Sequence, residues 1–132
     1  MKTTKNVLII ADNTDKTVEM ANGIAEVLKE GTVSLKTISD FNGNDILPAD
    51  VFFLGCEEPN PASFAYISDL LSHINLAGRS CGIFTSGSKN TAKYLTGLLK
   101  DCEVTVNPEP LFSGPEAALK NWVQETMRVN NA

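Results

Sequence analysis

Short apolar runs mark the strands that this chain is expected to form. Runs at 6–11, 51–56 and 80–85 are almost continuously apolar, which is typical of strands buried on both faces of a parallel sheet. Val33 and Leu35 fall on one face of a further predicted strand at 32–38. A fifth strand is predicted at 103–106, with an extended stretch that continues to 112.

Apolar residues at helical spacing separate these strands and predict amphipathic helices. The first begins after Thr14, a candidate N-cap, and ends before Gly31, a candidate C′ glycine. The second is predicted from Phe64 to about Gly78, and the third begins near Ser88 or Asn90. The last helix carries Ala118, Leu119, Trp122, Val123 and Met127, with Pro115 near its first position. At most one helical turn fits the polar segment 39–50.

The alternation of strands and helices defines the expected architecture. It indicates βαβ units around a mostly parallel sheet, with right-handed crossovers that put helices on both faces. Because the chain has 132 residues, a single domain covering 1–132 is expected. The predicted fold class is an α/β doubly wound three-layer sandwich, with a five-stranded parallel sheet of order 2-1-3-4-5.

This strand order predicts where a ligand would bind. Strands 1 and 3 are neighbours whose connections leave on opposite faces, so a crevice opens at their carboxyl ends. Polar loops at 12–17, 56–62 and 86–90 form its rim, and hydroxyl groups beside a helix N-terminus attract anions. The candidate binding residues are Asp12, Asn13, Thr14, Lys16, Thr17, Cys56, Glu57, Glu58, Ser86, Gly87 and Ser88.

The first of these loops resembles the phosphate-binding loop of flavodoxins, whose pattern is Ser/Thr-x-Thr-Gly-x-Thr. Thr14 and Thr17 match it, whereas Asp12 and Asp15 replace the hydroxyl residue and the glycine. The segments DILPADVFFLGCEEPNP, LAGRSCGIFTSGS and LFSGPEAALKNWVQETM are similar to the family's third strand, fourth strand and final helix with their adjoining loops. The resemblance therefore spans nearly the whole chain. It corresponds to the short-chain form, because the insertion that splits the fifth strand of larger flavodoxins has no room here.

The resemblance implies an FMN-binding protein that carries single electrons between redox partners and catalyses nothing alone. The FMN phosphate would lie over Asn13, Thr14, Lys16 and Thr17, and the flavin ring between the loops at 56–62 and 86–90. Glu57 and Glu58 would make the surround acidic and lower the reduction potential. A net charge of −5 suits a redox partner with a basic surface.

Two departures from the flavodoxin pattern leave a second function open: carboxylates lie beside the expected phosphate position, and no aromatic residue lies beside the expected ring position. Each carboxylate within 4–6 Å of a phosphate costs on the order of 1–4 kcal/mol, and Lys16 offsets about one of them. Neither ring-flanking loop contains an aromatic residue. The alternative is a flavodoxin-like module that no longer binds FMN and acts through protein contacts or another small ligand. Asp12 and Thr14 are also consistent with simple helix capping.

Net charge and the cysteine content argue against several other classes of function. The negative net charge argues against nucleic acid as a partner. No secretory signal or membrane-length apolar run is present in the sequence, and three cysteines fit reduced thiols, so a cytoplasmic protein is expected. Cys56 reads as a core thiol or, less simply, a reactive one.

A two-component receiver domain shares the same strand order and is a competing class. Receivers need an acidic pair after strand 1, an aspartate ending strand 3, a serine or threonine after strand 4 and a lysine after strand 5. Asp12 and the Thr85/Ser86 pair fit, but Glu57 stands too late and Asn107-Pro108 lacks the lysine. Phosphoryl transfer would therefore have neither its nucleophile nor its charge partner. The sequence also contains no P-loop or dinucleotide fingerprint.

Overall fold

The computed structural model describes residues 6–28, 32–112 and 116–128. The predicted caps Gly31 and Pro115 lie outside the described residues. The elements in chain order are β1 Asn6–Ala11, α1 Asp15–Val27, β2 Thr32–Thr37, α2 Gly43–Ile46, β3 Val51–Gly55, a 3-10 turn Ala62–Phe64, α3 Ala65–Leu71, β4 Ser80–Thr85, α4 Lys89–Leu98, β5 Thr105–Val106, β6 Leu111–Phe112 and α5 Glu116–Arg128.

The described strands form one parallel sheet with the predicted order, β2-β1-β3-β4-β5. Val7 pairs with Val51, and Val51 pairs in turn with Ser80, so the three central strands start level with one another. Their carboxyl ends consequently lie together at one edge of the sheet. The predicted fold class is confirmed.

Two apolar layers cover the two faces of the sheet, because alternate residues of each strand point to opposite sides. From β1, Leu8 and Ile10 pack on the side of α2, α3 and α4. Val7 and Ile9 pack on the other side, against α1 and α5. The continuously apolar strand sequences reflect this burial on both faces.

The fifth strand position is divided into two short pieces along the edge of β4. β5 pairs with Ser80 and Cys81, whereas β6 pairs with Phe84 and Thr85. Between them, the buried Asn107 donates its side-chain amide to Thr126 Oγ1 at 2.8 Å and accepts the Glu109 N–H at 3.0 Å. The strand begins later than predicted because Glu103 has a positive φ of 66°, which belongs to a turn.

The predicted helices are present, with one difference in length. α3 ends at Leu71 rather than near Gly78, because the Ser72 hydroxyl donates to the Asp69 carbonyl at 2.7 Å and competes with further helical bonding. The single turn expected in the polar segment is α2, which Asn42 begins with a capping box. Among the described residues, no helix is long and apolar enough to cross a bilayer.

Candidate functional site

Three loops meet at the carboxyl edge of the sheet. The Asp12 N–H donates to the Gly55 carbonyl at 3.2 Å, which joins the loop after β1 to the end of β3. An open cleft of about 240 Å³ lies between these two loops. Its lining residues are Asp12, Asn13, Thr14, Glu57, Glu58, Pro61 and Ser63. The crevice predicted from the strand order is therefore present as a cleft between the first two of the three predicted rim loops, and the loop at 86–90 does not line it.

The carboxylate of Asp12 is buried at the base of this cleft and accepts bonds from two loops. Its Oδ1 accepts from the Thr14 N–H at 3.1 Å and from the Thr14 hydroxyl at 2.6 Å. Its Oδ2 accepts from the Glu57 N–H at 2.8 Å, across 45 positions of sequence. Only 4% of Asp12 is exposed, and these bonds compensate the cost of burying its charge.

Thr14 is the N-cap residue of α1, as predicted, but no side chain caps this helix N-terminus. Thr14 has the extended dihedrals of an N-cap, but its side chain makes no capping bond. Its hydroxyl contacts Asp12 instead and lies 2.8 Å from the hydroxyl of the buried Thr17. The first N–H groups of a helix have no intrahelical acceptor, so those of Asp15, Lys16 and Thr17 remain for an anion.

Exposed side chains surround this helix N-terminus. Asn13 donates its amide to the Ser39 hydroxyl at 2.8 Å, which fixes it beside the loop after β2. Lys16 and Asp15 are both exposed in the first turn. Asp15 is favourable there because a negative charge complements the helix dipole. An incoming anion would meet one cation and one carboxylate in this turn.

The loops after β3 and β4 contact each other directly at their bases. The Thr85 hydroxyl donates to the Cys56 carbonyl at 2.6 Å, and the Thr91 hydroxyl donates to the Glu57 carbonyl at 3.1 Å. A Cβ on Gly87 would lie 2.0 Å from that same Glu57 carbonyl oxygen. These contacts leave little space between the bases of the two loops.

Ser86 and Ser88 lie on the outer side of this junction. The Ser86 hydroxyl is 3.5 Å from Glu57 Oε1, at the limit of a hydrogen bond. Ser88 has the dihedrals of the α4 N-cap without a side-chain capping bond, and it is exposed. Both hydroxyls therefore remain largely open to solvent or to a ligand.

Cys56 faces the core rather than the cleft. Its thiol is buried and donates to the Glu58 carbonyl at 3.3 Å. Burial, and secondarily the charge of Asp12, raise the pKa of Cys56 to about 12. The thiol therefore stays protonated at neutral pH and is no nucleophile.

Tyr94 packs beside this part of the core, with its ring centroid 6.4 Å from that of Phe64. Its pKa is also raised to about 12, first by burial and then by Cys56. Within the described ranges, its hydroxyl is buried without a hydrogen-bond partner. Tyr94 therefore belongs to the packing under the crevice loops and does not flank the cleft.

The predicted site residues thus fall into four groups. Asp12, Asn13, Thr14, Glu57 and Glu58 line the cleft, and Lys16 and Thr17 occupy the helix turn beside it. Ser86, Gly87 and Ser88 adjoin it through the loop contact, and Cys56 points away. The lining residues Pro61 and Ser63, and the tying hydroxyls of Thr85 and Thr91, were not predicted as site residues. The sequence signal that could have identified Thr85 and Thr91 is the presence of hydroxyl residues on both sides of Gly87.

A second cleft of about 310 Å³ lies near the opposite end of β1. Its lining residues are Asn6, Val7, Leu8, Ser34, Lys36, Asn44, Asp45, Pro48 and Ala49. It is larger, but it lies away from the strand ends where ligands bind in open α/β sheets. Across the described ranges, no cluster of side chains is arranged to hold a metal ion.

Comparison with known proteins identifies the fold. No family model matches this sequence, and no curated protein does so either. Among solved structures, a short-chain flavodoxin associated with a non-canonical PDU bacterial microcompartment is 18% identical, with a TM-score of 0.82 over 97% of this chain and 99% of that one. Flavodoxin 2 from Bacillus cereus is 18% identical, with a TM-score of 0.80 over 93% and 98%.

A flavodoxin from Fusobacterium nucleatum, bound to flavin mononucleotide, is 13% identical with a TM-score of 0.76 over 95% of this chain and 98% of that one. Similarity at these identities shows the fold. The chain accordingly has a flavodoxin-like fold, as the resemblance predicted.

The residues of the cleft fit an FMN phosphate only in part. Lys16, the Asn13 amide and the open N–H groups of the first turn of α1 are suitable donors. The Thr14 and Glu57 donors at the base are already used by Asp12. The cleft of 240 Å³ is also smaller than the roughly 300–1,000 Å³ of typical ligand pockets, so most of a flavin would lie over the surface.

Proposed function

We propose that this protein is an FMN-binding one-electron carrier. The observation that carries the proposal is the position of the cleft. It opens at the carboxyl ends of β1 and β3, where the strand order reverses, in a fold shared with flavodoxins over more than 90% of the chain. The N-terminus of α1, uncapped by a side chain, supplies anion donors beside it.

Each group of residues has a distinct role in this proposal. Lys16, Asn13 and the first-turn N–H groups hold the phosphate, and the loops after β3 and β4 flank the ring. Bound FMN would supply one-electron redox chemistry, which none of these side chains provides. Glu57 and Glu58 place negative charge beside the ring and disfavour a further negative charge there.

Hydrogen bonds between the crevice loops hold the site in place. Thr85 and Thr91 bond the loop after β3 to β4 and α4. Such ties reduce the rearrangement that a change of charge at the ring would require, which favours rapid electron transfer. The surface around the cleft is acidic, so the proposed redox partner has a basic docking face and its association weakens as salt is raised.

A second candidate is a flavodoxin-like module that does not bind FMN and acts through protein contacts or a different small ligand. The specific observation in its favour is the Asp12 carboxylate, which accepts from donors at the base of the cleft. The missing aromatic residue in the ring-flanking loops also favours it, because aromatic stacking adds about 0.5–1.5 kcal/mol beyond burial.

Titration with FMN tests the proposal. We expect the protein to quench FMN fluorescence in a saturable manner, and Lys16→Gln to weaken affinity about fivefold, equivalent to about 1 kcal/mol. Lys100→Gln is the matched control, because it removes the same charge from an exposed position after the far end of α4. FMN fluorescence that remains unchanged at high protein concentration would support the second candidate instead.

A further inference from the structure

We infer that Asp12 is a specificity-determining residue: its carboxylate fills the anion cradle at the base of the cleft, so a phosphate is held only by Lys16, Asn13 and the first-turn N–H groups of α1 and binds weakly. FMN then gains no affinity from its phosphate group, and a flavin with an uncharged ribityl end binds the crevice at least as tightly. The preference between flavins rests on the proposed function, whereas the occupation of the cradle does not.

The first argument is the convergence of donors on one anion. The Thr14 N–H, the Thr14 hydroxyl and the Glu57 N–H come from two different loops and all reach the Asp12 carboxylate, at 3.1, 2.6 and 2.8 Å. Backbone N–H groups arranged around a single acceptor in this way are what a phosphate cradle offers. Here the chain itself supplies the anion, at the high effective concentration of an attached group.

The second argument is exclusion. A phosphate can reach these donors only if the Asp12 side chain leaves, which breaks three hydrogen bonds. With Asp12 in place, the phosphate meets a fixed negative charge at close range in a partly buried setting. Glu57 and Glu58 line the same cleft and add to the repulsion. A ribityl hydroxyl carries no charge and avoids this cost.

The third argument concerns the neighbouring hydroxyls. The Thr14 hydroxyl has one proton, which it donates in a hydrogen bond to Asp12 at 2.6 Å. The 2.8 Å bond between the two threonine hydroxyls is therefore donated by Thr17 and accepted by Thr14. Both threonines that match the flavodoxin pattern therefore direct their protons inward along a chain that ends at Asp12. The Asp12 carboxylate therefore orients the hydroxyl groups of both threonines.

Affinities for two flavins test the inference. Fluorescence titration should give a wild-type affinity for FMN no greater than that for riboflavin. We expect Asp12→Ser to raise FMN affinity about tenfold, equivalent to about 1.4 kcal/mol, and to leave riboflavin affinity unchanged. Asp50→Ser is the matched control, since Asp50 accepts the Asn6 N–H at the opposite end of the sheet, and it should change neither affinity.

Inorganic phosphate provides a readout that needs no flavin. Freeing the cradle should let phosphate stabilise the folded state, so about 50 mM phosphate should raise the Tm of Asp12→Ser by several degrees over sodium chloride of equal ionic strength. The wild type and Asp50→Ser should show no such difference. If Asp12→Ser does not fold, Asp12→Asn removes the charge while keeping the shape, and the same comparison applies.

The outcomes separate the two proposals. Wild-type protein that binds FMN tenfold more tightly than riboflavin, with no gain in Asp12→Ser, would overturn the inference and leave the proposed function standing. Failure of both flavins to bind any variant, with phosphate still stabilising Asp12→Ser alone, would overturn the proposed function and support Asp12 as the occupant of the cradle. A Tm of Asp12→Ser that is the same in phosphate and in sodium chloride would overturn the inference.

Discussion

Two aspartates join β1 to β3 at opposite ends of the sheet. At the carboxyl end, the Asp12 N–H bonds to Gly55 while its buried carboxylate accepts three hydrogen bonds. At the amino end, the Asp50 N–H donates to the Asn6 carbonyl at 2.8 Å, and its exposed carboxylate accepts the Asn6 N–H at 2.9 Å. The connections are alike, but of the two aspartates only Asp12 is buried.

This difference shows that hydrogen-bond donors are concentrated on the aspartate at the carboxyl end of the sheet. An exposed carboxylate such as Asp50 contributes little, because water competes for the same bond. A buried carboxylate is stable only where several donors meet, and for Asp12 they come from the loops of the proposed binding site. The carboxyl end of the sheet therefore depends on a single charge in a way that the amino end does not.

The largest expected effect is the loss of Asp12. Asp12→Ala leaves the Thr14 and Glu57 N–H groups without their acceptor, so we expect the free energy of unfolding to fall by about 3–4 kcal/mol. Asp50→Ala should lower the free energy of unfolding by about 0.5–1 kcal/mol, because the one hydrogen bond that its carboxylate accepts, from the Asn6 N–H, is exposed to water. Urea unfolding of both variants measures the contrast, and equal losses would remove the distinction between the two ends.

Alkaline pH should affect both ends of the sheet alike. Burial raises the pKa of Cys56, beside the crevice, from 9.0 to about 12 and that of Cys81, near the start of β4, well above 9.0. Above pH 9 the unfolded chain releases these protons while the folded chain keeps them, so stability is full below pH 9 and falls as the pH rises toward 12.

The loss from these two thiols should be on the order of 1 kcal/mol each at pH 10. Denaturant unfolding at pH 8 and pH 10 measures it. Cys56→Ala should remove about half of the contribution from Cys56 and Cys81. If Cys56→Ala showed the same pH dependence as the wild type, the crevice thiol would not be buried as described.

A smaller effect is expected where the two ring-flanking loops touch. A methyl group on Gly87 would meet the Glu57 carbonyl at 2.0 Å, so Gly87→Ala must displace backbone and should cost about 2 kcal/mol. Gly97→Ala meets nothing within 4 Å in an exposed turn of α4, and it should stabilise the protein by up to about 1 kcal/mol. Opposite signs in thermal unfolding would verify the contact, whereas a neutral Gly87→Ala would show that the loops can separate.

The smallest expected effect concerns one hydroxyl tie. Thr91→Val removes the buried bond to the Glu57 carbonyl and should cost about 1 kcal/mol. Thr96→Val is its control on the same helix, because that hydroxyl bonds only to the Ala92 carbonyl one turn earlier, and it should be nearly neutral. Equal effects in chemical denaturation would mean that the tie adds nothing to the crevice.

The sequence predicted the sheet because periodicity is a local property. The runs of β1, β3 and β4 are buried on both faces, and their lengths match the observed strands to within one residue. The end of α3 was wrong because Ser72 turns its hydroxyl back to Asp69, a choice that apolar spacing does not reveal. The start of β5 depends on the backbone of Glu103, which composition leaves undetermined.

The candidate site was less predictable because its decisive contacts join distant segments. Asp12 could be seen as a departure from the flavodoxin pattern, and its charge as unfavourable to phosphate. That its carboxylate would accept the Glu57 N–H, 45 positions away, depends on the register of β1 and β3. The same holds for Thr91, which reaches the Glu57 carbonyl only because α4 begins directly after a three-residue loop.

The divided fifth strand gives the sheet an edge that resists aggregation. Sheet edges expose unpaired backbone groups that can recruit a second chain, and proteins blunt them with short strands and prolines. β5 and β6 each contain two residues, with Pro108 and Pro110 between them, so a neighbouring molecule finds no long row of donors to extend. The other edge is the six-residue β2, which is longer, and the charge of Lys36 on it discourages such pairing.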